Sequence, residues 1–102
     1  MQAKPLTKEE LKSRIGGVAR QYGVKSVSLF GSYARGDATP ESDVDICIDR
    51  GQIRDLFQLS GFHADLEETL GTKVDVITTL GLKDDFRQHI AKELTVIYEQ
   101  YA

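Results

Sequence analysis

Five acids fall between residues 37 and 49: Asp37, Glu41, Asp43, Asp45 and Asp49, with no base between Arg35 and Arg50. Upstream, Gly31-Ser32 closes the apolar stretch Val27-Ser28-Leu29-Phe30. Downstream, Asp75 interrupts the β-branched stretch Val74 to Thr78. Carboxylates gathered at one spot repel and resist joint ionisation unless a cation sits among them. Mg²⁺ suits such a place, because it takes one or two carboxylates, several waters and substrate phosphates. Two such ions ~3.5 to 4 Å apart clamp an in-line phosphoryl displacement. Glycine lets backbone approach a phosphate closely, and serine adds a hydroxyl donor. The residue types are those of a phosphoryl-transfer site. A Walker A loop is excluded, since Gly-x-x-x-x-Gly-Lys-Ser/Thr is absent. So is an EF-hand, since Cys47 and Ile48 stand where an oxygen ligand and glycine are needed.

These residues need elements to place them. "DVDICID" (43 to 49) alternates, with Val44, Ile46 and Ile48 on one face and Asp43, Asp45, Cys47 and Asp49 on the other. Asp43 and Asp45 therefore leave one strand face with Cα atoms ~6.6 Å apart. "VKSVSLFG" is a preceding strand with Val27 and Leu29 inward, and a short helical turn begins after it at Tyr33 and Ala34. "TKVDVIT" is a third strand. If it neighbours the second, Asp75 lies ~4.8 Å sideways on the acidic face.

Around these strands the spacing predicts helices. Thr7 and Glu10 form a capping box, with Leu6 and Leu11 as a hydrophobic staple, opening a helix over about 8 to 21. A second helix runs from Ile53 to Leu70 through Leu56, Leu59, His63 and Leu66, ending at Gly71. Leu82, Phe86 and Ile90 mark a last helix and "LTVIYE" a last strand. The expected class is α/β or α+β, a mixed four-stranded sheet with flanking helices. The short loop between the first two strands makes them antiparallel.

Bulk properties set limits. With 102 residues, 40% apolar and 28% charged, the chain is expected to be one folded domain spanning 1 to 102. A net charge of -3 argues against direct nucleic-acid binding. A lone Cys47 and the lack of a membrane-length apolar run or signal-like start lead us to expect a cytoplasmic protein with no membrane partner.

A Gly-Ser pair ending a strand, ten residues, Asp-x-Asp in the next strand and a later Asp resemble the nucleotidyltransferase superfamily that includes DNA polymerase beta. More narrowly, "GSYARGDATPESDVDICI", "KVDVIT" and "IYE" resemble the minimal nucleotidyltransferase, or MNT, domains. At a fixed spacing, Gly-Ser plus Asp-x-Asp arises at a given start on the order of once in 10⁵. The resemblance implies that Gly31 and Ser32 hold the β- and γ-phosphates of ATP, and that Asp43 and Asp45 bind two Mg²⁺ ions. It further implies that Asp75 binds the catalytic ion near the attacking hydroxyl; Arg35 is a candidate phosphate contact. MNT proteins of this size are commonly antitoxins whose partner is a HEPN-domain ribonuclease toxin. They resemble enzymes that move AMP from ATP to a tyrosine of that toxin.

Two other functions compete: a non-catalytic module that inhibits its partner by binding, and nucleotidyl transfer to a small hydroxyl compound. Blander roles fit several residues better. Asp37, Glu41 and Asp49 read as solvated charges, His63 as a satisfied, partly buried histidine and His89 as solvent-facing. Tyr33 either stacks on a base or packs beside its loop, and Tyr98 and Tyr101 read as strand-end packing or as an aromatic contact surface. Cys47 lacks the basic neighbours of a nucleophile.

Overall fold

The Thr7 and Glu10 pair does open a helix. Thr7 Oγ1 accepts the Glu10 N–H at 3.0 Å while Glu10 Oε1 accepts the Thr7 N–H at 3.1 Å, completing the capping box. The structure, a computed structural model, describes residues 4–78, 88 and 91–100. The helix so capped, α1, spans Lys8–Tyr22 and ends at Gly23 in the left-handed region. Its Leu11, Ile15 and Ala19 are fully buried.

Strand β1 (Ser26–Phe30) follows, then a five-residue helix α2 (Gly31–Arg35) and strand β2 (Val44–Asp49). The connection is short, and β1 and β2 pair antiparallel. Helix α3 (Leu56–Leu70) carries the chain across to β3 (Val74–Thr78), which pairs parallel with β2. A crossover of that length is what parallel neighbours require. Strand β4 (Thr95–Glu99) pairs antiparallel with β1, with an irregularity after Val27, so the order is β3-β2-β1-β4. This is the expected mixed four-stranded sheet with flanking helices.

Helices α1 and α3 share one face of the sheet. Val27, Leu29, Val44, Ile46, Ile48 and Val74 join Phe62, Leu66 and Leu70 in the core, each at most 1% exposed. Burying each such side chain stabilises by about 1.5 to 3 kcal/mol relative to leaving it in water. The Tyr22 and Phe62 rings meet edge to face, 5.6 Å apart, and Tyr22 donates to Asp65 at 2.6 Å, tying α1 to α3.

Two expectations about α3 need correction. Its first residue is Leu56, because Ile53 closes a turn on the Arg50 carbonyl at 3.0 Å and Asp55 caps the helix by accepting the Gln58 N–H at 2.8 Å. Its core stripe runs through Leu59, Phe62, Leu66 and Leu70, whereas Leu56 is 78% exposed. His63 lies beside the stripe, half-buried, with Nε2 hydrogen-bonded to the Val74 carbonyl. The helix expected at Leu82, Phe86 and Ile90 lies outside the described residues, as do His89 and Tyr101. Among the described residues no helix is long and apolar enough to cross a membrane.

Candidate active site

Val44 and Ile46 are fully buried against the helices, so Asp45 between them must project from the opposite face of β2. Sheet register then selects its neighbours. Asp45 stands opposite Phe30 of β1 on one side and opposite Asp75 of β3 on the other. The conditional expectation about Asp75 is therefore met, since β2 and β3 are neighbours and their two acids are in register. Asp43, just before β2, is close enough for its charge to act on Asp45.

The Asp45 and Asp75 carboxyl groups lie within hydrogen-bonding reach of each other. Two carboxylates this close disfavour joint ionisation. Burial, then the hydrogen bond with Asp75, then the charges of Asp75 and Asp43, push the Asp45 carboxyl up to about 6, while Arg35 pulls the other way. Asp75 is the exposed member of the pair and Asp45 the half-buried one. Among the described residues no group of three or more Asp, Glu, His or Cys side chains is placed to hold a metal ion. The set is instead an open pair with a third acid beside it. That donor chemistry fits Mg²⁺, which keeps positions for water and substrate oxygens.

Gly31 follows Phe30 directly and brings the backbone against this cluster. Its φ is 72°, and a Cβ at this position would overlap Asp45 Oδ2. Only glycine satisfies both constraints without strain. The chain then winds through α2, whose Ser32 carbonyl accepts the N–H groups of Gly36 and Asp37 at 3.0 and 3.1 Å. No described residue hydrogen-bonds the Ser32 hydroxyl. Beyond α2, Thr39 and Ser42 lock the loop that delivers Asp43: the Thr39 N–H donates to Ser42 Oγ at 2.8 Å and the Ser42 N–H to the Thr39 carbonyl at 3.0 Å.

Arg35, at the end of α2, is half-exposed and pairs with Asp37 at 3.3 Å and Glu93 at 3.2 Å. Glu93 was not visible as a site residue from sequence. It also accepts the Gly31 N–H at 3.1 Å. The clue is topological: Thr95 of β4 pairs with Leu29 of β1, so the residues just before β4 lie beside those just after β1. Of the two readings of Tyr33, packing is the one observed. It is 5% exposed and its hydroxyl accepts the Leu6 N–H at 3.3 Å. Cys47 shares the acidic face yet is buried, at 4% exposed.

A strand, a Gly-Ser turn, and acids on the next two strands define a class of protein, and comparison with known proteins agrees. The chain belongs to the polymerase beta nucleotidyltransferase family, whose description matches residues 13–101, and it is thus a nucleotidyltransferase. It is 32% identical over 96 residues to the protein adenylyltransferase MntA of Thermococcus cleftensis, covering 90% of this chain and 97% of that one. In three dimensions it superimposes with TM-score 0.75 on a chain of a toxin-antitoxin crystal structure with AMP-PNP, at 20% identity over 87% of this chain and 73% of that one. It also matches, with TM-score 0.70 and 17% identity, a chain of a complex between the tri-AMPylated HEPN toxin of Shewanella oneidensis and its MNT antitoxin. That match covers 92% of this chain and 74% of the other.

Proposed function

We propose that this chain transfers AMP from ATP to a hydroxyl, a tyrosine, of a HEPN-domain ribonuclease toxin and thereby acts as its antitoxin. The observation that carries this reading is the Asp45–Asp75 pair, in register on one sheet face with the Gly31 backbone against it. Similarity to a protein adenylyltransferase and to antitoxins in HEPN complexes supports the acceptor and the partner. A neighbour solved with AMP-PNP supports ATP.

Each residue has a task in this reading. Gly31 and Ser32 bind the β- and γ-phosphates through a backbone N–H and a hydroxyl, and Arg35 adds charge. Asp43, Asp45 and Asp75 would hold two Mg²⁺ ions, which when bound neutralise the triphosphate and the departing pyrophosphate. Asp75, the exposed carboxylate, faces the acceptor side and takes the proton of the attacking hydroxyl as its oxygen bonds the α-phosphorus and pyrophosphate leaves. Catalysis then rests on positioning and charge neutralisation. As a single domain of residues 1 to 102 with net charge -3, the chain would work in the cytoplasm on a protein, with no membrane or nucleic-acid partner.

Co-expression with the toxin separates transfer from mere capture. Wild type is expected to restore growth and Asp43→Asn/Asp45→Asn to fail while still capturing the toxin. Full protection by the double variant would replace this reading with inhibition by binding.

A further inference from the structure

Glu93 places one carboxylate across two donors: Oε2 on the Gly31 N–H at 3.1 Å and Oε1 on Arg35 Nη1 at 3.2 Å. A carboxylate bridging a glycine N–H and a guanidinium satisfies the same donors that a phosphate oxygen pair would use. These two donors are among those assigned above to the ATP phosphates, and the inference rests on that assignment. Phosphate and Glu93 compete for the one Gly31 N–H and for the charge of Arg35.

The contact is built to open. The Glu93 side chain is 26% exposed and that of Arg35 49% exposed, so water can replace either partner. The Glu93 backbone is held two residues before Thr95, which pairs with Leu29 at the end of β1. Glu93 itself lies outside β4, so releasing its side chain breaks no bond of the sheet. Arg35 keeps a second carboxylate, Asp37, at 3.3 Å, which holds the guanidinium near the turn while Glu93 leaves.

We propose that Glu93 is an internal competitor for nucleotide phosphate: it occupies the Gly31 N–H and Arg35 in the empty enzyme, is displaced by the polyphosphate of the incoming nucleotide, and so sets nucleotide affinity. A binding-competent state that is only partly populated weakens apparent affinity by that fraction. For an exposed ion pair reinforced by one backbone hydrogen bond, the weakening is about 3- to 10-fold.

The test is calorimetric titration of ATP with Mg²⁺ into wild type, Glu93→Gln, Glu93→Ala, Arg35→Ala and Arg35→Ala/Glu93→Ala, with thermal melting to verify folding. Glu93→Ala is expected to bind about 3- to 10-fold tighter than wild type. Glu93→Gln, which keeps an acceptor for Gly31 but loses the charge, should fall between them. In the Arg35→Ala background the gain should shrink, because the competition there is reduced to the Gly31 donor. If wild type binds ATP and both Glu93 variants bind equally or more weakly, Glu93 is a brace for the turn and the inference is overturned while the nucleotide assignment stands. An undiminished gain in the Arg35→Ala background also overturns it, because simple removal of a negative charge then explains the gain. If no protein in the set, wild type included, binds ATP, the nucleotide assignment itself falls and takes the inference with it.

Discussion

Asp45 carries a cost in the metal-free protein. Its carboxyl is raised to about 6 in the fold against an ordinary 3.8, so between those values the native chain holds a proton that the unfolded chain has lost. Stability from this group is therefore fully present below about pH 4 and declines as pH rises through 6. A difference of that size corresponds to at most about 3 kcal/mol, and partial solvation lowers it to ~1 to 2. Asp45→Asn should mimic the protonated acid by donating to Asp75. In chelator, its melting temperature should match wild type near pH 4 and exceed it by roughly 4 to 16 °C at pH 7.5. A gap that does not vary with pH would show that the two acids are uncoupled. From sequence the alternation of 43 to 49 was enough to place Asp45 on the acidic face. It could not fix the coupling of Asp45 to Asp75, which depends on β2 and β3 being parallel neighbours in register.

At the scale of elements, the junction of β1 and α2 is where the fold and the site meet. Gly31 turns the chain through a left-handed φ with its Cα against Asp45. Gly31→Ala should cost about 1 to 2 kcal/mol through the backbone alone, and more because Asp45 must move. Misplacing that carboxylate is expected to lower the transfer rate about 100-fold, so urea unfolding and transfer kinetics should both report the change. An alanine variant with wild-type rate would mean that the close approach is irrelevant. Glycine and alternation made β1, the turn and β2 legible because their signals are local. The stripe of α3 was misplaced because Leu56, Leu59, His63, Leu66 and Leu70 also recur at helical spacing, and only packing shows that Phe62 goes inward. The Asp55 and Gln58 spacing, a cap signal, would have corrected the start. Glu93 lies outside any local pattern, because β4 reaches Gly31 only through pairing with β1.

For the whole molecule, α1 and α3 cover one face of the sheet, and the acids project from the other. Among the described residues neither of these two helices packs on the acidic face. The central claim is that these acids move AMP from ATP to a protein hydroxyl. The most direct measurement is label transfer from ATP labelled at the α-phosphate, with Mg²⁺, to the purified HEPN-domain partner, comparing wild type with Asp43→Asn/Asp45→Asn. The account predicts a labelled partner with wild type and none with the variant. An unlabelled partner in both reactions, captured equally well by both proteins, would contradict it.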